Sequence, residues 1–507
     1  MTDQALRDAA PITEAWIDSA GHTLSEIESM IESIASTVER DRPSTFLIVD
    51  RRSEEESADL LAVADRHAVG ILSSDPEALN ARLAKTTAEF LIVVRWGRPV
   101  PDLIRRLLGF FDRFPETDLV YGDSMTETGR PFLRPAFSPI RLRSNDYLGP
   151  VVCIRIDVLR RLGGLRAEAR RAQVLDVALR AYRNDAVIAL IPMRLATEDL
   201  APGDFAGTSD AQRRVVESWL AAAGIDATVE DIKPFVRRVR YKVIGEPLIS
   251  VVIPTRGSSA RIGNVDRVLV VEAVRGIVER STYAHLEFVV VADADTPVEV
   301  VDELEAICGD HLRLLVWDAP FNFSAKMNRG AAAARGEYLL LLNDDVEMVT
   351  DDSIETMLGL AQQDGVGIVG AQLYFEDSTV QHAGQVYTGG VAGHAAFGWP
   401  GGRDDDVASM ITDHEVSGVT AACALMRRDL YHEVGGFTLS LPGNYNDVDL
   451  NLKVRMTGRS AIFTPWSRLY HFESKTRDPR VLESDLTTLR ARWARRMQLE
   501  MYSRMLL

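Results

Sequence analysis

The sequence predicts an α/β protein made of two Rossmann-like domains in tandem, each with a mostly parallel central sheet flanked by helices. Short apolar runs alternate with helical stretches along the chain, which is typical of parallel strands joined by crossover helices. A related pattern occurs in both halves of the chain. The length of 507 residues is also too great for a single hydrophobic core.

The N-terminal half contains three predicted segments. Residues 1–40 predict an acidic helical segment, because isoleucines recur there at helical spacing. Residues 41–200 predict the first α/β domain, with strands at Phe46–Val49 and Phe90–Val94. The polar residues 201–245 predict a helical linker.

The C-terminal half contains the second α/β domain, which we place at residues 246–480. Its predicted strands are Leu248–Ile253, Phe288–Val291, Leu314–Val316, Tyr338–Leu342 and Ile368–Leu373. Residues 481–507 predict an amphipathic C-terminal helix, whose arginines suit an anionic membrane surface. Packing of this helix against the protein itself, or against a second subunit in a homo-oligomer, is the simpler alternative.

The two halves share an internal repeat of long period. Three pairs of segments align in the same order: 87–102 with 335–351, 156–164 with 428–436, and 175–180 with 448–453. The second half has Asn343–Asp345 where the first has Arg95–Gly97, and Asp447 stands opposite Val174. Chance similarity of two α/β segments is the alternative, but three matches in order disfavour it. The first half is therefore predicted to be a degenerate, non-catalytic copy of the same scaffold.

Composition and charge exclude several classes of protein. The formal net charge of −17 disfavours a general nucleic-acid-binding protein, whose footprint would be a basic face. The three cysteines are widely spaced and predict neither a disulfide framework nor a structural zinc site. We expect neither a secretory signal nor a membrane-spanning segment, and hence a cytoplasmic protein. Any membrane-bound substrate would be met peripherally, at the inner face of the plasma membrane.

The most informative motif follows the predicted strand Tyr338–Leu342. This apolar run is typical of a strand buried on both faces, and it ends in Asn343, Asp344 and Asp345. Ligands bind at the carboxyl ends of strands in open α/β sheets, where carboxylates can hold a divalent cation and, through it, a diphosphate. An acidic turn or a helix N-cap explains the same residues.

Two further loops follow predicted strands. In Pro254–Gly257, Arg256 is placed to meet a base or a phosphate, although a plain turn explains this sequence equally well. In Ala292–Thr296, Asp293 is placed to accept a hydrogen bond from a pyrimidine N–H. Capping of a helix is the competing role for the last residues of that loop.

The segment Asn322–Gly330 predicts the start of a helix, with Ser324 as the N-cap. Lys326 and Asn328 then lie in the first turns, which is the end of a helix that favours anions. Solvation at the protein surface is the alternative role for Lys326.

The last two segments supply a candidate base and a candidate ligand. Residues 443–450 place Asp447 and Asp449 at the start of a helix, after a loop that contains glycine, and capping is the alternative role for one of them. His471 follows a strand-like stretch. A lone histidine is more often structural than a ligand, but a carboxylate-bound cation nearby makes the ligand role more credible.

These motifs, in this order, resemble the inverting glycosyltransferases of family 2, which have a GT-A fold. The likeness is to bacterial rhamnosyltransferase-like enzymes and to O-antigen or cell-wall polysaccharide enzymes, some of which carry two such domains. It covers residues 245–480 strongly and residues 45–200 in weaker form. The matching segments are Val251–Thr255, Tyr283–Val291, Asn322–Ser324 with Asn328, Leu342–Val346, Val434–Phe437, Asn446–Leu450 and His471–Arg477.

The resemblance implies transfer of a sugar, with inversion, from a UDP- or dTDP-sugar to a hydroxyl of a glycan or lipid-linked glycan. It implies that Asp447 is the catalytic base and that Asp345 and His471 bind Mg²⁺ or Mn²⁺. Asp344 would lie near the ribose or the donor sugar. The other residues expected around the donor are Thr255 and Asp293 at the nucleotide, Lys475 and Arg477 at the diphosphate, and Arg256, Lys326, Asn328 and Asn343.

The sequence departs from the family pattern at three positions. Asn343 replaces the first aspartate of the DxD motif, which is expected to weaken cation binding. Asn446 replaces the usual glutamate before the base, and Ala292 replaces a usual aspartate, which weakens the expectation for base recognition.

Two other classes of protein compete with this interpretation. In the first, both halves have lost activity and the chain is a scaffold that binds glycan or nucleotide. Retention of Asp345, Asp447 and His471 together argues against it. A nucleotidyltransferase, the second class, would show a glycine-rich signature near the N-terminus, and the sequence has none.

Overall fold

A computed structural model describes residues 11–19, 22–35, 44–51, 54–198, 208–472 and 483–506. Contacts divide the chain into two compact units, Met1–Val239 and Arg240–Leu507. Each unit contains one large sheet and its own hydrophobic core.

The first unit alternates strands and helices over most of its length. Its strands are β1 (Thr13–Asp18), β2 (Ser44–Asp50), β3 (Gly70–Ser73), β4 (Phe90–Val94), β5 (Arg98–Pro99), β6 (Leu119–Met125), β7 (Pro131–Phe132), β8 (Val151–Arg155) and β9 (Ile188–Thr197), followed by a hairpin of β10 (Ala227–Lys233) and β11 (Val236–Tyr241). Its helices are α1 (Leu24–Ala35), α2 (Glu54–His67), α3 (Pro76–Lys85), α4 (Leu103–Arg113), α5 (Pro139–Ser144), α6 (Ile156–Arg161), α7 (Gln173–Arg183) and α8 (Thr208–Ala222).

The sheet of the first unit has the strand order β3-β2-β1-β4-β8-β6-β9-β5, with β7 beside β6. Strands β5, β7 and β8 run antiparallel to their neighbours, and the other strands are parallel. Apolar residues that recur every three or four positions on α4 pack on this sheet, among them Leu103, Leu107 and Phe111. Ile17 of β1 and Ile92 of β4 lie in the same core.

The second unit repeats the alternation and adds short hairpins. Its strands are β12 (Ile249–Thr255), β13 (Ser259–Ile262), β14 (Val265–Val268), β15 (Leu286–Asp293), β16 (Leu312–Trp317), β17 (Tyr338–Leu342), β18 (Val346–Met348), β19 (Val366–Tyr374), β20 (Val380–His382), β21 (Gln385–Thr388), β22 (Val391–His394), β23 (His414–Val416), β24 (Cys423–Arg427) and β25 (Ser460–His471). Its helices are α9 (Leu269–Arg280), α10 (Val298–Cys308), α11 (Phe323–Ala333), α12 (Ser353–Ala361), α13 (Arg428–Glu433), α14 (Asn446–Met456) and α15 (Glu483–Trp493).

The sheet of the second unit has the order β16-β15-β12-β17-β24-β19-β25-β18, with β20 beside β19 and β23 beside β25. Strand β17 is buried throughout and lies between parallel β12 and antiparallel β24. The carboxyl ends of β12, β15 and β17 therefore open at one edge of the sheet, where ligands bind in open α/β folds.

The two large sheets have the same strand order and the same strand directions. In chain order, β1, β2, β3, β4, β5, β6, β8 and β9 take the positions that β12, β15, β16, β17, β18, β19, β24 and β25 take in the second sheet. One local bonding pattern is also common to both. The Asn80 side chain exchanges two hydrogen bonds with the backbone of Leu165, and Asn328 does the same with Phe437.

The predicted α/β class, with two units built on mostly parallel sheets flanked by helices, is confirmed. The prediction of a purely helical segment at residues 1–40 is wrong, because β1 lies within it. Its residues alternate between the two faces of the sheet and are buried on both, a pattern that the neighbouring isoleucine periodicity obscured.

The predicted helical linker 201–245 also differs from the structure. Its described part contains α8 and the β10–β11 hairpin, and α8 buries Val215, Val216 and Leu220. The indole of Trp219 donates a hydrogen bond to the Leu179 carbonyl at 2.8 Å. This helix is thus part of the first unit, because its apolar face packs against it.

The C-terminal helix packs against the second unit. Leu489 and Met497 are fully buried in a cluster with Tyr387, Val448 and Leu452. Its apolar face is therefore occupied by this protein, as in the simpler alternative given above. Among the described residues, no helix combines the length and the apolar character that crossing a membrane requires.

Candidate functional site

The carboxyl ends of three neighbouring strands bring predicted site residues together. Thr255 ends β12, Asp293 ends β15, and Asp344 follows β17. The Thr255 hydroxyl donates a hydrogen bond to Oδ2 of Asp344 at 2.6 Å. Arg256, next along the chain, is exposed on the loop after β12.

Lys326 is buried, contrary to the surface role offered as its alternative. Its ammonium donates hydrogen bonds to the Thr255 carbonyl at 2.6 Å and to Oδ1 of Asp293 at 2.7 Å. The N-cap of its helix is Asn322, which accepts from the Ala325 N–H, and not Ser324. Lys326 thus ties together the ends of β12 and β15, and it adds a buried positive charge beneath the loops that would hold a donor.

Asp344 has a pKa suited to a site that receives positive charge. Burial, followed by the neighbouring charge of Asp345, raises the pKa of Asp344 to about 6. The Thr255 hydrogen bond and the Lys326 ammonium limit that rise. A cation at this edge would stabilise the ionised form of Asp344, because opposite charge favours it.

Asp345 and His471 form a pair of facing acceptors. His471 Nδ1 lies 2.7 Å from the carbonyl oxygen of the Gln381 side chain, which can only accept, so the neutral imidazole carries its proton on Nδ1. The bare Nε2 lies 3.1 Å from Oδ1 of Asp345 and accepts from the Asn343 amide at 3.1 Å. That Oδ1 is buried and has no hydrogen-bond donor among the described residues.

Two lone-pair atoms at this separation repel each other unless a proton or a cation joins them. Burial acts to raise the pKa of Asp345, but His471 in its protonated form, together with hydrogen bonds, holds it below its usual range. A carboxylate and an imidazole oriented by a hydrogen bond to its other nitrogen are typical of a metal site. Among the described residues, no group of three His, Cys, Asp or Glu side chains is placed to hold a metal. The pair therefore fits a cation that completes its coordination with phosphate and water.

Asp447 and Asp449 have different environments on the same helix, α14. Asp449 is fully buried and accepts hydrogen bonds from the Thr438 hydroxyl and the Trp493 indole, and it pairs with Lys453. Its oxygens are thus used to hold the surrounding structure. Asp447 lines a cavity instead.

The cavity beside Asp447, here called the Asp447 cavity, has a volume of about 210 Å³. Asn343 and His471 line it as well, so one member of the metal pair, His471, shares this space with the candidate base. Burial raises the pKa of Asp447, and His394 together with hydrogen bonds from Thr420 and the backbone opposes the rise. A carboxylate with a raised pKa at a cavity wall is well placed to accept a proton.

The Asn328 side chain is hydrogen-bonded within the fold. Its Oδ1 accepts hydrogen bonds from the Phe437 N–H and the Tyr431 hydroxyl, and its amide nitrogen donates to the Phe437 carbonyl. These bonds hold the turn at Gly436, where φ is +58° and a Cβ would lie 2.5 Å from Oδ1 of Asn328. The donor role given to Asn328 stays a prediction. Lys475 and Arg477 lie outside the described residues.

Sequence reasoning missed Gln381, His382 and His394, which all line the Asp447 cavity. One signal for them exists in the chain. Gly389–Gly390 is a two-residue hairpin turn with positive φ at both positions, which pairs β21 with β22 and returns His394 towards β20. If the turn is not recognised, the sequence spacing of Gln381, His382 and His394 does not indicate that they line one cavity.

Comparison with known proteins identifies the class of domain that contributes part of this cavity. Residues 250–435 match the family model described as Glycosyl transferase family 2. The chain thus contains a domain of this family, and the matched region includes the ends of β12, β15 and β17.

Two curated relatives extend the likeness over most of the chain. The protein y4gI of Sinorhizobium fredii (strain NBRC 101917 / NGR234) is 33% identical over 417 residues, which are 78% of this chain and 44% of that protein. The O-antigen biosynthesis protein RfbC of Myxococcus xanthus is 33% identical over 380 residues, which are 72% of this chain and 29% of that protein. The chain spans less than half the length of both relatives.

Among solved structures, a crystal structure of GalNAc-T7 with UDP, GalNAc and Mn²⁺ aligns with a TM-score of 0.40 at 13% identity, covering 50% of each chain.

Proposed function

We propose that this chain is a metal-dependent inverting glycosyltransferase, which moves a sugar from a nucleotide-diphosphate donor to a hydroxyl of a glycan or lipid-linked glycan. The observation that carries the proposal is the Asp447 cavity, in which the candidate base meets His471, whose Nε2 lies 3.1 Å from Asp345. The family match of residues 250–435, which contribute other residues to this cavity, supports the reaction class.

The metal pair would serve the leaving group. Asp345 and His471 would hold Mg²⁺ or Mn²⁺, with Gln381 orienting His471 through its hydrogen bond to Nδ1. The Asn343 amide, which donates to Nε2, would release that nitrogen to the cation. A bound divalent cation neutralises charge that builds on a departing diphosphate. Asp344 would lie between this position and the Thr255 loop, at the ribose or the donor sugar.

The nucleotide would lie over the ends of β12 and β15. Thr255 and Asp293 flank this region, and exposed Arg256 is free to move towards a phosphate or a base. Lys326 would act indirectly, by fixing Asp293 and by adding positive charge beneath the donor. UDP- and dTDP-sugars are the proposed donors, because Asp293 can accept from a pyrimidine N–H.

Asp447 would accept the proton of the attacking hydroxyl. The hydroxyl oxygen forms the new bond to the anomeric carbon while the bond from that carbon to the diphosphate oxygen breaks. The proton passes to the Asp447 carboxylate. Attack from the face opposite the leaving group in a single displacement inverts the anomeric configuration.

The RfbC relative directs the proposal towards bacterial cell-surface polysaccharides. The proposed acceptor is accordingly a growing glycan, free or lipid-linked. We place the proposed reaction in the cytoplasm or at the inner face of the plasma membrane.

The first unit is proposed to be a degenerate copy that does not catalyse. Its sheet has the strand order of the second, but ion pairs occupy the matching strand ends. Arg95 pairs with Asp146 at 2.6 Å, and the buried guanidinium of Arg134 pairs with Glu198 at 2.7 Å. The Trp96 indole donates to the same Glu198. In this half, arginine side chains thus occupy the positions at which the second half would bind a divalent metal ion.

Replacing Arg134 with methionine is expected to destabilise the first unit and to spare catalysis. The variant leaves Glu198, which is 5% exposed, as a buried charge without its partner, at a cost of about 3–5 kcal/mol. Urea unfolding measures the loss, and nucleotide release from a donor measures catalysis. The double variant Arg134→Met, Glu198→Leu removes both charges and should lose less stability. A folded single variant with strongly reduced turnover contradicts a non-catalytic first unit.

The function itself is tested by incubating the full chain with a panel of nucleotide-sugars and Mn²⁺ or Mg²⁺. We expect release of the nucleotide from at least one UDP- or dTDP-sugar, and loss of that release with EDTA. Nucleotide binding without release from any donor would favour an inactive scaffold. Absence of both binding and release would overturn the proposal.

A further inference from the structure

The first unit contains a cavity that has no part in the function proposed above, here called the Val174 cavity. It has a volume of about 60 Å³ and reaches the surface beside Asp18 and Arg51, where β1 and β2 end. Its floor consists of buried apolar side chains from the sheet and the surrounding helices, among them Leu79 and Ile154. Open α/β sheets bind ligands at this edge.

The same layer is filled in the second unit. The repeat places Leu159 opposite Tyr431, and the shared asparagine hydrogen bonds place Leu165 opposite Phe437. Tyr431 and Phe437 are buried in the core of the second unit, with ring centroids 5.9 Å apart. Leu159 and Leu165 line the Val174 cavity instead. Two leucines thus replace two aromatic rings, and they leave space that the first unit does not fill.

A polar atom in the wall of the cavity lacks a hydrogen-bond partner. The side-chain nitrogen of Gln173 donates to the Arg166 carbonyl at 2.7 Å, and a carbonyl can only accept, so the orientation of this amide is determined. The other end of the amide, Oε1 of Gln173, is buried and receives no hydrogen bond from the part of the chain that the structure describes. A buried acceptor without a donor costs free energy, which a ligand with an O–H or N–H group would restore.

Charge and size restrict the ligand further. The charged residues that line the cavity, Asp18 and Arg51, pair with each other, because Nε of Arg51 donates to both carboxylate oxygens at 3.0 and 2.9 Å. A neutral ligand therefore suits the site better than an ion. A cavity of about 10–15 Å³ holds one water, and an engineered cavity of roughly 150 Å³ holds a whole benzene ring. The Val174 cavity thus admits one apolar end of a ligand and leaves the remainder at its mouth.

We propose that the first unit binds a small neutral ligand, whose apolar end enters the Val174 cavity and whose hydroxyl or N–H group donates to Gln173. Sites for small molecules are typically apolar, with a few polar groups that fix the orientation of the ligand. Val174 stands where the second unit has Asp447, so the ligand would be held without a base beside it. Binding here is independent of the reaction proposed for the second unit.

Binding is tested on the full chain with phenol, toluene and benzoate as probes. Phenol combines an apolar ring with a hydrogen-bond donor, toluene lacks the donor, and benzoate adds a negative charge. Methyl ¹H–¹³C spectra of the chain labelled on leucine and valine locate the bound probe through the signals of Leu159, Leu165 and Val174. We expect phenol to shift these signals and to bind about 5-fold tighter than toluene, the effect of one hydrogen bond. Benzoate should bind more weakly than phenol.

The double variant Leu159→Tyr, Leu165→Phe fills the cavity with the side chains of the second unit. Asn80 is placed to accept from the introduced tyrosine, as Asn328 accepts from the Tyr431 hydroxyl at 2.6 Å. We expect this variant to lose phenol binding and to melt at a higher temperature than wild type, because it removes unfilled space from the interior.

Two further variants test the polar contact and the location. Gln173→Met keeps an unbranched side chain of similar length but removes the acceptor, so phenol should bind no tighter than toluene. Leu107→Met alters the core on the opposite face of the same sheet and should leave phenol binding unchanged.

Each outcome decides for or against the site. A wild-type chain that binds none of the three probes overturns the proposal, and a more stable filled variant would then identify the cavity as a packing void. Phenol binding that persists in the filled variant also overturns it, because the probe would lie elsewhere. Equal wild-type affinities for phenol and toluene contradict the role of Gln173. If the double variant does not fold, Leu165→Phe alone makes the comparison, with phenol affinity expected to fall at least 5-fold.

Discussion

Turnover is expected to fall by on the order of 10²–10⁴-fold when Asp447 is replaced with asparagine, while nucleotide binding persists. The asparagine amide fills nearly the same volume, but it cannot accept a proton from an attacking hydroxyl. Asp447 lines the cavity and is not part of the metal pair, so the donor site stays intact. The measurements are nucleotide release under saturating donor and calorimetric binding of the free nucleotide.

Asp449→Asn is the matched control on the same helix. Asp449 accepts from Thr438 and Trp493 and pairs with Lys453, so its replacement should lower the melting temperature more than it lowers turnover. If Asp449→Asn loses turnover while Asp447→Asn loses mainly stability, the assignment of the base is wrong.

The raised pKa of Asp447 determines how turnover and stability should depend on pH. A base works only when ionised, so the wild-type rate should rise with pH through a pKa above that of an ordinary aspartate. A carboxyl whose pKa is higher in the folded state favours folding at low pH, and this contribution is lost as the pH rises through that pKa. Asp447→Asn should therefore be at least as stable as wild type at neutral pH, despite its lost activity.

Replacing Asp345 with asparagine, or His471 with alanine, is expected to abolish the metal dependence of nucleotide binding. Each variant removes one of the two facing acceptors, and the affinity for Mn²⁺ with UDP or dTDP should fall about 100-fold or more, since loss of an outer-shell partner alone typically costs 10–100-fold. Titration calorimetry with and without Mn²⁺ measures the difference.

Glu347→Gln is the control for the metal variants. This acid lies on β18, two residues beyond Asp345, but its carboxylate faces Arg267 at 3.2 Å. It should leave the metal titration unchanged. Metal-dependent binding that survives in both Asp345→Asn and His471→Ala would show that the cation, if one binds, lies elsewhere.

Some of the site was predictable because its signal is local. The abrupt change from apolar β17 to Asn343, Asp344 and Asp345 marks the end of a buried strand, and Asn343 lines a cavity of about 210 Å³ there. Local patterning also gave most strands of the second sheet, because runs buried on both faces are short and apolar.

The remainder depended on tertiary contacts that no short pattern encodes. The sequence alone permits a surface position for Lys326. In the structure, the ends of two strands bury it and supply a carbonyl and a carboxylate as its hydrogen-bond partners. The sequence predicts that Asn328 binds the donor. It does not indicate that the side-chain amide exchanges two hydrogen bonds with the backbone of Phe437. His382 and His394 meet only because a glycine turn folds one strand back on the other.

The buried guanidinium of Arg134 has a consequence for how the chain would respond to its surroundings. A positive charge that is part of the polypeptide cannot be removed by a chelator or depleted by scarcity. A cation held by Asp345 and His471 would stabilise its site only in proportion to its free concentration. The charge that stabilises the first unit would then always be present, whereas the charge that stabilises the second would depend on the metal concentration. The concentration of divalent ions would then control turnover without changing the stability of the first unit.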